Sequence, residues 1–235
     1  MIKAVWLDVD NTLLDFDAYV KEAMKNGFAK YGLGRFDDEV YAVFKGINDN
    51  FWHRLEKAEI TYEELLRDRW NTVFAALGIS YDGPTFEKYF KGYLTESAIP
   101  VEGSIELLDY LKEKYPLCAA SNGPFDQQMN RLRLGGLVPY FSHFFISGAI
   151  GAAKPARAFF EYGMKEMNDA RAARGKEPLR PDEVMLIGDS LSSDMAGACA
   201  FGMRCCLFNF HKKEIETDLP IDHTVRELKE ICEIL

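Results

Sequence analysis

Three things are scarce in this chain: paired cysteines, excess positive charge and long apolar runs. Its five cysteines are odd in number, none form a C-x-x-C pair, and most lie inside apolar segments. This points away from a disulfide framework and toward reduced cysteines packed as small hydrophobes, as in a cytoplasmic protein. With 28 Lys and Arg against 37 Asp and Glu, the formal net charge is −9. An extended nucleic-acid polymer or an anionic membrane surface is therefore not expected as a partner, whereas a small anionic substrate responds to local charge and stays open. No apolar stretch reaches the length of a membrane span, and the first residues lack the basic, apolar, small-residue order of a signal peptide. No internal repeat or low-complexity segment is present. What remains is 235 residues, 48% of them hydrophobic, enough for a sizeable core with room for an inserted domain.

The most informative stretch is Val5-Trp6-Leu7-Asp8-Val9-Asp10-Asn11-Thr12. An apolar run from Ile2 to Leu7 reads as a buried parallel strand, and it stops at two carboxylates spaced i, i+2. At a strand's C-terminal end such a pair faces the crevice where open α/β sheets bind ligands. Crowded carboxylates repel each other unless a cation or a shared proton intervenes. The spacing thus predicts an Mg²⁺-assisted site with Asp8 as nucleophile.

From Phe16 to Leu94 the chain has few β-type runs. Helical spacing recurs in Tyr19, Ala23, Met24 and Phe28, and again in Leu65, Leu66, Trp70, Val73, Phe74 and Leu77. Thr61 with Glu64 reads as a capping box, and breaks fall at Gly32-Leu33-Gly34, Gly46, Gly78 and Asp82-Gly83-Pro84. Residues 16–95 are therefore expected to form an inserted α-helical domain of four or five helices. From Pro100 strands and helices alternate, with strands at Leu117–Ala120, Phe144–Ile146, Val184–Ile187 and Arg204–Phe208, and a terminal amphipathic helix from Val225 to Ile234. The expected fold class is α/β, a Rossmann-like doubly wound parallel sheet built from residues 1–15 and 96–235.

Polar residues at other predicted strand ends suit phosphoryl transfer. Ser121 follows the second strand, Lys154 precedes the helix opened by Pro155, and Asp189 and Asp194 flank the turn after the fourth strand. A carboxylate nucleophile is already anionic at neutral pH and needs no activating base. Its attack on a phosphate brings two anions together, so Lys154 and Mg²⁺ would neutralise the phosphoryl oxygens. Asp8, Asp189 and a backbone carbonyl suffice for a hard cation that keeps its waters. Ser121 and the N–H groups of the following turn, including Asn122, would donate to phosphate, and Asp10 would carry protons to the leaving oxygen and from the attacking water.

Taken together, Asp8-x-Asp10-x-Thr12, Ser121, Lys154-Pro155 and Gly188-Asp189-Ser190-x-x-x-Asp194 resemble the ordered motifs of the haloacid-dehalogenase-like (HAD) hydrolase superfamily. The resemblance covers nearly the whole chain. It implies a helical cap between the first two motifs and a phosphorylated nucleophile at Asp8. It further implies acid/base catalysis by Asp10 and a positioning role for Thr12. Ser121 and Lys154 become phosphate contacts, and the metal ligands are expected at Asp8, Asp10 and Asp189. Asp194 would orient Lys154 or a metal-bound water. The dehalogenases of this superfamily lack an acid/base aspartate two residues after the nucleophile, so Asp10 argues for phosphate chemistry over carbon–halogen cleavage.

Thr12-Leu13-Leu14-Asp15-Phe16-Asp17, Ser121-Asn122-Gly123, Met185 to Asp194 and Phe208-Asn209-Phe210-His211 are further similar to the YjjG-type nucleoside 5′-monophosphatases. The loop from Ser147 to Arg157 departs from that pattern, with small residues before Lys154 and Arg157 after Pro155. The expected activity is Mg²⁺-dependent hydrolysis of a small phosphorylated substrate, a nucleoside 5′-monophosphate first. A sugar-phosphate phosphatase or phosphomutase on the same core is the alternative, and a non-catalytic phosphate-binding domain a more distant one. Substrate choice is expected in the insertion, where Phe16, Asn48, Asn50, Phe51, Trp52 and His53 are candidates because a base stacks well on an aromatic face. Aromatics at helical spacing serve equally as the core of such a domain.

Overall fold

The computed structural model describes residues 1–57 and 59–235. The chain divides into two compact units, Met1–Asp15 with Ala98–Leu235, and Phe16–Ser97.

The second unit is helical: α1 (Phe16–Tyr31), α2 (Asp38–Glu56), α3 (Tyr62–Leu77) and α4 (Gly83–Thr95). Side-chain caps fix where α2, α3 and α4 start. Asp37 accepts from the Val40 N–H, Thr61 and Glu64 form a reciprocal capping box, and Asp82 accepts from the Thr85 N–H. The periodic apolar positions form an aromatic core of Phe44, Trp70, Phe74, Phe86 and Phe90, in which the Trp70 and Phe86 rings lie 4.3 Å apart.

The first unit is a sheet flanked by helices. In chain order its elements are β1 (Ala4–Leu7), α5 (Ser104–Lys112), β2 (Leu117–Ser121), α6 (Phe125–Leu134), β3 (Phe141–Ile146), α7 (Ser147–Ile150), α8 (Arg157–Ala172), β4 (Val184–Gly188), α9 (Ala196–Phe201), β5 (Arg204–Phe208), β6 (His223–Val225) and α10 (Ile231–Ile234). The six strands run in the order β3-β2-β1-β4-β5-β6, and every neighbouring pair is parallel. β1, β2 and β4 are buried along their whole length, which is why they read as uninterrupted apolar runs. Trp6 anchors the core against Phe145 and Phe160, and its indole N–H donates to Met167 Sδ at 3.0 Å.

Parallel pairing in register decides the site's position. Leu7 is opposite Ala119 of β2 and Ile187 of β4, so the residues after β1, β2 and β4 leave the sheet along one edge. The Asp8 N–H still reaches the Ile187 carbonyl at 2.9 Å, which seats Asp8 at that edge. The chain then turns through Asn11, whose φ of 57° lies in the left-handed region that asparagine tolerates.

The expected terminal helix is not continuous. Val225 ends β6, opposite Phe208 of β5, and only a 3₁₀ turn at Leu228–Glu230 and the short α10 are helical. Val225, Leu228 and Ile231 are all buried, and their spacing mimics one helical face. The β-branched Thr224 and Val225 pair with the open edge of β5 instead.

Candidate active site

Lys154 lies at the centre of the site. Its side chain is 1% exposed, and its ammonium donates to Asp8 Oδ1 at 2.7 Å, Asp194 Oδ1 at 2.5 Å and the Ala120 carbonyl at 2.6 Å. Those three bonds use all three ammonium hydrogens. Burial works against the charge, yet the fields and hydrogen bonds of Asp194 and Asp8 outweigh it and raise the ammonium above its ordinary value. The lysine backbone is fixed as well. The Asn122 amide donates to the Lys154 carbonyl and accepts from the Lys154 N–H, both at 2.8 Å. Asn122, expected at the phosphate, thus has its side chain engaged with the β3–α8 connection.

Asp8, Asp189 and Asp194 form an all-oxygen cluster whose ligand atoms lie within 4.8 Å of one another. Burial, the largest influence, pushes the Asp8 carboxyl up to about 7; Lys154 pulls it down, and Asp194 and Asp10 push it further up. Asp189 is raised well above the usual carboxylate range, first by withdrawal from water and then by Asp8 and Asp194. Carboxylates placed so close favour a hard divalent cation, and the absence of nitrogen or sulfur donors suits Mg²⁺. Asp194 is already committed, since beside Lys154 it accepts from the Ser190 N–H at 3.1 Å. It sits in a single π-type turn, Leu191–Met195, where the Met195 N–H reaches back to the Ser190 carbonyl at 3.0 Å. Gly188 makes that placement possible, because a Cβ there would come within 2.3 Å of Asp194 Oδ2.

The Asp10 carboxylate has different partners. Arg131 Nη2 donates to its Oδ1 and Gln128 Nε2 to its Oδ2, both at 2.6 Å. Gln128 Nε2 also donates to Ser121 Oγ at 2.7 Å, and Gln128 Oε1 accepts from Arg131 Nη1 at 2.9 Å. Gln128 and Arg131 are fully buried on α6. The structure therefore brings Asp8, Asp10, Ser121, Lys154, Asp189 and Asp194 to one sheet edge. The Asp10 side chain, expected among the metal ligands, is not part of the three-carboxylate cluster of Asp8, Asp189 and Asp194. Thr12 is fully buried, and its hydroxyl has no hydrogen-bond partner among the described residues.

Sequence reasoning passed over Gln128 and Arg131. A signal was available, since two long polar residues spaced i, i+3 share the face of α6 that buries Leu132. Within the helical unit, Asn48 is buried and accepts from Arg69 Nη1 at 2.8 Å, and Phe51 is buried. Phe16 packs edge-on to Tyr19, Trp52 lies 6.3 Å from Tyr62, and Asn50 and His53 are exposed.

Comparison with known proteins identifies the family. The family model "haloacid dehalogenase-like hydrolase" matches residues 2–202. The pyrimidine 5′-nucleotidase PynA of Streptococcus pneumoniae is 31% identical, covering 99% of this chain and 94% of PynA. The pyrimidine 5′-nucleotidase YjjG of Escherichia coli is 25% identical, covering 98% and 96%. The magnesium-bound crystal structure of the HAD-hydrolase YfnB from Bacillus subtilis superposes with a TM-score of 0.88 at 26% identity, covering 100% of this chain and 98% of that one. Lysine-bridged carboxylates at one edge of a parallel sheet, and a family match that spans them, lead to one conclusion: the chain belongs to the haloacid dehalogenase-like hydrolases.

Proposed function

We propose that this hydrolase cleaves phosphomonoesters through a phosphoaspartyl intermediate at Asp8, with nucleoside 5′-monophosphates as its substrates and Mg²⁺ as its cofactor. The observation that supports the reading is the different bonding of the two carboxylates. Asp8 is bonded to a buried ammonium beside the acidic cluster, and Asp10 is held by Gln128 and Arg131 of α6. On this reading Asp8 attacks and Asp10 moves protons. The nucleotide class rests on PynA and YjjG, whose names give pyrimidine 5′-nucleotidases.

In the first half-reaction an Asp8 carboxylate oxygen bonds to phosphorus while the bond to the leaving alkoxide breaks, and Asp10 delivers a proton to that oxygen. In the second, water attacks phosphorus, Asp10 takes its proton, and the bond to Asp8 breaks to free phosphate and the carboxylate. Lys154 shields the approach of two anions and holds Asp8 in place while its second bond to Asp194 fixes the ammonium. Ser121 donates to a phosphoryl oxygen. Asp8, Asp189 and the main-chain carbonyl of Asp10 would hold Mg²⁺, which when bound supplies positive charge to the phosphoryl oxygens and lets the crowded carboxylates remain ionised.

Phosphate release should be followed over nucleoside monophosphates, sugar phosphates and phospho-amino acids. Activity is expected on nucleoside 5′-monophosphates, to vanish on chelation and to return with Mg²⁺. Asp8→Asn should lose at least about 10³-fold in turnover and Asp10→Asn about 10²–10⁴-fold. Full turnover by Asp8→Asn overturns the covalent route. Preference for a sugar phosphate, or isomerised product from a hexose 1-phosphate, overturns the substrate class while leaving the site chemistry standing.

A further inference from the structure

The bonding around Gln128 leaves no freedom. Its amide has two N–H donors and one carbonyl oxygen. The donors go to Asp10 Oδ2 and Ser121 Oγ, and the oxygen accepts from Arg131. Reversed, the amide would set its oxygen against the Asp10 carboxylate and its N–H groups against the guanidinium, so only one orientation is tenable. The consequence reaches Ser121. A hydroxyl has two lone pairs and one hydrogen. Ser121 Oγ accepts from Gln128 at 2.7 Å and from the Gly123 N–H at 3.2 Å, so both lone pairs are used and its hydrogen is left to donate. The polarity of this hydroxyl is set before any substrate arrives.

Arg131 acts on the same carboxylate from the other side. It is 0% exposed, and beside the Gln128 bond its Nη2 donates to Asp10 Oδ1. Two donors on one helix, three residues apart, thus hold both oxygens of Asp10. The helix is seated for this purpose: a Cβ at Gly123 would lie 2.5 Å from Gln128 Nε2, so the loop before α6 has no room for a side chain where the amide rests.

We infer that Gln128 and Arg131 are positioning residues of this hydrolase: together they aim the Asp10 carboxyl at the leaving oxygen, and Gln128 commits Ser121 to donate to the phosphoryl group. The inference rests on the phosphomonoesterase reading above, and the test separates the two. A phosphate ester of an alcohol needs its leaving oxygen protonated, whereas 4-nitrophenolate departs as a stable anion. The ratio kcat/KM covers the steps through loss of the alcohol and excludes the later attack by water. Comparing the two esters therefore isolates proton delivery by Asp10.

Arg131→Met should lower kcat/KM for a nucleoside 5′-monophosphate about 10-fold or more beyond its effect on 4-nitrophenyl phosphate, and Arg131→Lys should recover part of that gap. Gln128→Leu should widen the same gap and also weaken competitive inhibition by inorganic phosphate about 5-fold, because the Ser121 hydroxyl becomes free to turn away. Equal losses on the two esters, in variants that melt as cooperatively as the parent, overturn the positioning of Asp10. Unchanged phosphate inhibition in Gln128→Leu overturns the role at Ser121. If Arg131→Met does not fold, the ester ratio of Gln128→Leu decides, since Gln128 holds the other oxygen of the same carboxylate. If the unsubstituted chain hydrolyses neither ester, the phosphomonoesterase reading falls and takes this one with it, a pattern distinct from equal losses in active variants.

Discussion

At Gly188 the absence of a side chain lets Asp194 approach the end of β4. A Cβ there would lie 2.3 Å from Asp194 Oδ2 and 2.5 Å from its Cγ, and the carboxylate cannot retreat without leaving Lys154 or the Ser190 N–H. Gly188→Ala should therefore cost about 1–3 kcal/mol in a denaturant melt, as overpacking in a rigid interior does. Turnover should fall about 10-fold or more as the Lys154 bridge is displaced. Unaltered turnover would separate Asp194 from the lysine's placement. At this scale the sequence was legible in where certain residues lie. Asp8 and Asp189 each follow a strand that could be read from its apolar run, and Lys154 lies just before Pro155 and the helix α8. The i, i+2 spacing of Asp8 and Asp10 was less informative, because alternation applies only within a strand and β1 ends at Leu7. Asp10 lies in the turn beyond, with partners on α6 that no local pattern links to it.

In the second unit a buried polar network links three helices. Arg69 of α3 donates to the Glu87 carboxylate of α4 through Nε and Nη2 and to Asn48 of α2 through Nη1, and its guanidinium lies 5.2 Å from the Phe90 ring centroid. Burial raises the Glu87 carboxyl against the opposing pull of Arg69. Arg69→Met should destabilise this unit by about 3–5 kcal/mol, because it strands a carboxylate away from water. Arg69→Met with Glu87→Leu should recover much of that loss, and thermal melts of the two variants make the comparison. The helices here could be read from the sequence, because caps such as Thr61–Glu64 and the left-handed Gly78 mark their ends locally. Beyond β5 that reasoning failed. A strand end, a 3₁₀ turn and one helical turn reproduced the spacing of a single helix, and only the open edge of β5 distinguishes them.

For the molecule as a whole, the decisive feature is that the first unit is discontinuous. Its two segments meet where the Asp15 N–H donates to the Ile99 carbonyl at 2.7 Å and the Val101 N–H to the Leu13 carbonyl at 2.9 Å. The insertion thus leaves and re-enters the unit at one point. Replacing residues 16–97 by a short Gly/Ser linker should preserve a cooperative melt and the far-ultraviolet dichroism of an α/β sheet protein. A fragment of residues 98–235 should show neither, because it lacks β1, which pairs with β2 on one side and β4 on the other.

The same strand order has a consequence in time. Synthesis runs from the N-terminus, so β1 emerges before either strand that will flank it, and β4 follows only after residue 184. Trp6 waits for Phe145, Phe160 and Met167, and Asp8 and Asp10 wait for Lys154, Gln128 and Arg131. β1, made before both of its neighbours, is enclosed only once β4 has followed, and a nascent chain stalled before β4 leaves one edge of this apolar strand open to whatever chaperone attends it.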